Sequence, residues 1–254
     1  MFYLSSLLVL ALLVGTIFIV PVRHKVWTAL AFVALAAIAV AVPAIGVLAG
    51  APTVVLANNI SSMLGAGSLS IDPLAAIFLL IIAVAGVATL LYSRGYIAPY
   101  LKKKSSAHIS LHYTALAVLV LSMMLVVMAD GGFLFLFAWE LMTIASFLLI
   151  LFDAERAEVL RAALAYLIMM HVGFIFLVAG FVGLESITAN TTFSSLAACF
   201  GEGKNLGVFI LFLLGFGMKA GLFPMHVWLP EAHPAAPSHV SAIMSGVMIK
   251  TGIY

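Results

Sequence analysis

Three ionisable residues stand inside apolar runs where water does not reach: Glu140 in FLFAWELMTIASFLLI, Lys219 in GFGMKAGLFP and Lys250 in SHVSAIMSGVMIKTGIY. A charge at the centre of a membrane helix costs about 2.5–3.5 kcal/mol on insertion scales, so such residues are expected to face protein or water. Burial disfavours the charged form of a lysine, whereas a nearby carboxylate favours it. Changing the distance between Glu140 and Lys219 would therefore switch the lysine between holding and releasing a proton, with Lys250 as the next acceptor. A glutamate at that depth serves equally well as half of a static ion pair that fixes helix orientation.

Neighbouring residues add candidate relays and a break. His171 is a possible relay, histidine being the side chain suited to proton exchange, although a lone helical histidine is more often a hydrogen-bonded packing residue. Lys250 is eleven residues beyond His239, and eleven steps of about 100° return to nearly the same face. His239, Ala242, Gly246 and Lys250 then form one stripe, with His239 as a second possible relay. Gly217 and Gly221 bracket Lys219 as a small-xxx-small pair suited to close helix packing, and Gly215 leaves space on the lysine's own side. Pro224 removes a backbone donor and predicts a helix break just past the lysine. Broken helices at membrane depth usually line a cavity.

His226, His233 and His239 have irregular spacing and no carboxylate or cysteine partners, so no metal site is expected. The single Cys199 allows neither an internal disulfide nor an iron–sulfur cradle. No HExxH, GxSxG, phosphate loop or dinucleotide fingerprint is present.

The elements that must carry these residues are membrane helices. The sequence is 65% hydrophobic and 8% charged with a mean hydropathy of +1.29. That is more apolar surface than a water-soluble core of 254 residues hides. A closed barrel would show alternating segments of about 10 residues, whereas the runs here are long and continuous. An all-α, polytopic bundle of about eight spans is predicted. The expected helices lie at 2–20, 27–49, 74–92, 111–129, 132–151, 161–184 and 206–222, with the eighth starting near 239. The first is read as retained rather than as a signal peptide. Loops alternate sides. Eight basic residues (Arg23, Lys25, Arg94, Lys102, Lys103, Lys104, Arg156, Arg161) fall on one side and Lys204 on the other. The positive-inside rule then puts the basic loops in the cytoplasm, in a cell inner membrane, with the N-terminus outside. A net charge of +2 gives no footing for nucleic acid.

The stretch GFGMKAGLFPMHVWLPEAHPAAPSHVSAIMSGVMIKTGIY, with AWELMT upstream, resembles the antiporter-like subunits shared by complex I, multisubunit cation/proton antiporters and group 4 hydrogenases. Within that group it looks most like the membrane component B of hydrogenase-4 or formate hydrogenlyase. The likeness covers roughly residues 72–254. It implies an inverted-repeat fold, of which 111–254 would form the first repeat and 1–110 a preceding unit of three helices and a basic loop. It also implies that Glu140, Lys219 of the broken seventh helix and Lys250 of the eighth form half of a proton path. Such subunits bind no cofactor. Iron–sulfur clusters and a nickel–iron or flavin site are expected in partner subunits, alongside other membrane subunits, one of which would supply a second repeat if the gene is split. A cation/proton antiporter subunit and a structural anchor for a redox arm are the competing readings.

Overall fold

A long continuous apolar stretch satisfies its own backbone as a helix when lipid is the solvent. A computed structural model describes residues 12–62, 65–201 and 205–254, in which five helices are long and apolar enough to cross a membrane. After α1 (described from residue 12 to 19), the helices are α2 (Lys25–Leu48), α3 (Pro73–Ile97), α4 (Ser106–Met128), α5 (Gly132–Ile150) and α6 (Ala157–Thr188). Beyond them come α7 (Phe193–Phe200), α8 (Leu206–Ala220), α9 (Leu229–Ala235), α10 (Ser238–Ile243) and α11 (Ile249–Thr251). Residues 2–11 of the expected first helix and Lys204 lie outside the described residues.

Local chemistry sets several starts. The Asp72 side chain caps α3 by accepting from the Ala75 amide at 2.7 Å. Pro73 occupies the first turn of α3, where its missing donor is harmless. Ser105 caps α4 in the same way. The helices then pack as neighbours, α2 on α3, α4 on α5 and α6 on α8, while α10 lies against α3.

The stretch 50–73, expected as a plain loop, instead carries a hairpin of β1 (Val54–Ser62) and β2 (Gly65–Ile71). The two-residue β3 (Ala129–Asp130) pairs with β2 through Leu69 and Ser68. Asp130 Oδ1 accepts from the Phe193 amide at 2.8 Å, and the Gly132 amide donates to Thr191 O at 3.0 Å. The hairpin, the α4–α5 turn and the segment before α7 thus meet at one end. At the opposite end, Lys104 bridges to Asp153 (3.3 Å) and Glu155 (2.8 Å), and Arg94 stacks over Trp27. That is the basic end.

Lys25 departs from its expected place in the basic loop. It is fully buried, and its ammonium donates to Ile17 O at 2.8 Å and to Ser110 Oγ. The last carbonyls of a helix lack intrahelical donors, and Lys25 supplies one to α1 after the chain turns at Pro21.

Candidate functional site

α8 stops at Ala220 because Gly221 adopts φ +67°. A side chain in that left-handed conformation would be strained. The Leu222 amide returns to Gly217 O at 2.9 Å, and the Trp228 indole donates to Met218 O at 2.9 Å. Non-helical backbone runs from there to α9, with Pro224 inside it after a cis peptide bond to Phe223. Carbonyls freed at membrane depth are thus satisfied by protein donors.

This arrangement alters the expected roles of the glycines. A Cβ at Gly217 would meet Met225 Cε at 2.7 Å, and one at Gly221 would collide with Leu229. Gly217 therefore makes room for the break segment, and Gly221 for Leu229 at the start of α9. The close crossing lies at Gly215, where a Cβ would come within 2.6 Å of Leu177 and 2.9 Å of Gly173 O. Gly215 admits α6 and does not leave the space expected beside the lysine.

Lys219, one residue before the end of α8, is 1% exposed. Its ammonium donates to Thr143 Oγ1 (3.1 Å) and Tyr166 Oη (3.0 Å), and the rings of Trp139 and Tyr166 lie close by, 5.7 Å and 5.5 Å from the ammonium. Ser146 Oγ lies within hydrogen-bond distance of Met142 O, at 2.7 Å, and of the Tyr166 hydroxyl. The carbonyl can only accept, so Ser146 donates to it, Tyr166 donates to Ser146, and the tyrosine oxygen accepts from Lys219. The lysine therefore rests on neutral hydroxyls.

The expected direct pairing of Glu140 with Lys219 is not what the geometry provides. Glu140 pairs with His171, Oε1 to Nε2 at 3.0 Å, in a part-exposed position on α5 and α6. On a helix, residues 140 and 143 are neighbours on one face, so Thr143 stands between the carboxylate's turn and the ammonium. His171 Nδ1 lies 2.9 Å from Leu167 O. A carbonyl cannot donate, so Nδ1 carries a hydrogen. The 3.0 Å contact then needs one further proton, on Nε2 as an imidazolium facing a carboxylate or on Glu140 as an acid facing a neutral ring. The pair holds one transferable proton. Glu140 Oε2 is buried without a hydrogen-bond partner among the described residues.

Lys250 does not join this cluster. It is exposed on the outside of the bundle and donates to Ser245 O. A π turn spans Met244–Met248, but the expected stripe parts before it, between His239 and Ala242. Ala242, Gly246 and Lys250 remain on one outward stripe, while His239 turns inward and is buried.

Thr143, Ser146 and Tyr166 were absent from the sequence-based site. Their signal was present as hydroxyl residues inside apolar runs, with Thr143 three residues after Glu140 and Ser146 three after Thr143. Isolated hydroxyls are common in membrane helices, and only the fold points these at the lysine.

Residues 129–254 match the domain family described as NADH:quinone oxidoreductase/Mrp antiporter, TM. Over 159 residues the chain is 42% identical to an uncharacterized protein of Mycobacterium tuberculosis, covering 63% of this chain and 24% of that one. It is 34% identical to hydrogenase-4 component B of Escherichia coli, covering 74% and 27%. A Staphylococcus aureus protein named as antiporter subunit mnhA2 is 32% identical, covering 73% and 23%. The chain spans about a quarter of the length of these curated relatives. Two solved structures share the fold at 25% identity over 98% of this chain: one from the membrane-bound sulfane sulfur reductase, an archaeal respiratory complex (TM-score 0.73, 39% of that chain), and one from the Mrp complex of Dietzia sp. (0.75, 27%).

Proposed function

We propose that this multi-pass membrane chain, which belongs to the antiporter-like subunit family, moves protons through its buried lysine and carboxylate as part of a redox-driven membrane complex. The observation that carries the reading is the juxtaposition of two unlike proton holders. Lys219 is desolvated on hydroxyls alone, and the Glu140–His171 pair, one helical turn from Thr143, holds one transferable proton. A small shift of α5 against α8 would alter the carboxylate's distance from the ammonium and so the lysine's hold on its proton. Tyr166 and Thr143 orient the ammonium meanwhile. Lys250 is the onward acceptor, displayed toward a second repeat or a partner subunit.

The iron–sulfur clusters and the nickel–iron or flavin site that supply electrons belong to other chains of the assembly. The basic end faces the cytoplasm and the N-terminus lies outside the cell's inner membrane, in accord with the charge asymmetry of the loops. A cation/proton antiporter assembly is the second reading, favoured by the comparable likeness to mnhA2 and to the Mrp complex. It predicts Na⁺-dependent proton exchange in vesicles without any redox substrate.

Glu140→Gln separates conduction from scaffolding. Under the proton-path reading, the assembly forms at normal abundance and proton uptake per electron falls. If Glu140 is a static anchor, the variant assembles poorly and each assembled complex pumps normally.

A further inference from the structure

We propose that His112 and His239 form a second proton-transfer element, an imidazole pair at the basic end of the bundle. It rests on the proton-moving reading above. His112 lies on α4 and His239 at the start of α10, 3% and 2% exposed, with their Nε2 atoms 2.9 Å apart. α4 begins at Ser106 on the basic end, which places His112 about 9 Å inside it. Around the pair stand Tyr96 of α3, whose ring is 5.1 Å from that of His239, and Phe152, 4.8 Å from His112. One turn nearer the basic end, His108 Nε2 contacts Phe152 O at 2.9 Å, and Lys104 and Asp153 follow.

Ring valence sets the roles of the four nitrogens. The two Nε2 atoms at 2.9 Å share one hydrogen. In the neutral pair one ring therefore donates through Nε2 and has a bare Nδ1. The other accepts through Nε2 and carries its hydrogen on Nδ1. Both Nδ1 atoms are buried without a hydrogen-bond partner among the described residues. Together they are an open acceptor and an open donor at the two ends of a hydrogen-bonded unit. A purely structural pair would close these ends against protein, because buried polar groups left open cost stability. Open ends of opposite sense suit water on both sides.

The transfer balances. A proton bonds to the bare Nδ1 of the first ring, and that ring's Nε2 hydrogen passes to Nε2 of the second. The second ring's Nδ1 hydrogen then leaves to water. No net charge remains, and each ring ends in the other tautomer. A further passage in the same direction requires both rings to regain their starting tautomers.

Glutamine at either position keeps a hydrogen-bonding amide but binds no proton. His112→Gln and His239→Gln are each expected to lower proton uptake per assembled complex by roughly tenfold or more, with electron flow and abundance kept. Uptake at the wild-type rate in both variants overturns the proposal. Lys219→Ala is measured in the same vesicles. If it alone abolishes uptake, the imidazole pair fails and the proton-path reading stands; if it too pumps normally, the proton-path reading fails as well. Should the glutamine variants not assemble, nitrogen-15 NMR of histidine-labelled wild-type protein in bilayers decides. The shared hydrogen exchanges with D₂O within minutes if the pair is wired to water, and its retention for a day overturns the proposal.

Discussion

Two buried lysines of this chain do different work, and their partners distinguish them. Lys25 faces helix-end carbonyls and a serine, a capping role that needs donors. Lys25→Met, which keeps the length and removes them, is expected to cost about 1–3 kcal/mol of stability. The midpoint of denaturant unfolding in detergent reads that loss, and an unmoved midpoint contradicts the cap. Lys219 faces two hydroxyls and no fixed carboxylate among the described residues. Tyr166→Phe and Thr143→Val each remove one partner and are expected to slow proton uptake severalfold while the assembly keeps its abundance. Wild-type uptake in both would leave the hydroxyls without a role. Glu140 and Lys219 were legible in the sequence as charges stranded in apolar runs, a cost that demands explanation. Their actual partners were not, since partners are set by helix packing rather than by spacing along the chain.

Helix contacts explain which parts of the reading moved. The span positions were legible because bilayer thickness fixes helix length, and α4, α5 and α6 overlie the expected ranges. The parting of the stripe was illegible, because packing decides which face of this helix meets the bundle: His239 is buried, whereas Ala242, still before the π turn, is exposed along with Gly246 and Lys250. The small-xxx-small spacing of Gly217 and Gly221 does not mark the close helix contact: these two serve the segment that follows α8, and Gly215 and Gly173 stand at the α6–α8 crossing. Gly215→Val is expected to cost about 1–3 kcal/mol by forcing the two helices apart, seen as a lower unfolding midpoint. Unchanged stability would contradict the crossing. At the basic end, the hydrogen bond from Lys104 holds the Glu155 carboxyl below the usual carboxylate range, and that bond raises the Lys104 ammonium above its own range. Glu155's contribution is therefore full above the ordinary carboxylate pKa and fades as pH falls through the lowered value. That of Lys104 fades as pH rises through its raised value. Glu155→Gln is expected to flatten the acid limb of thermal stability against pH, and an unaltered limb removes this tie between the α3–α4 and α5–α6 turns.

Across the whole molecule, the bundle has two chemically distinct ends, a hairpin end closed by β1, β2 and β3 and a basic end tied by Lys104. Between them lie Lys219 on its hydroxyls and, toward lipid or a partner, the Glu140–His171 pair. Lys250 looks outward, so under the proton-path reading conduction would continue into whatever packs against its outward stripe. The decisive experiment is proton uptake into sealed vesicles carrying the assembled complex, normalised to complex content and to electron flow, for wild type and Lys219→Ala. A proton path through Lys219 requires that uptake is lost while assembly and electron flow persist; uptake unchanged in Lys219→Ala would reduce the buried charges to scaffolding and overturn that path.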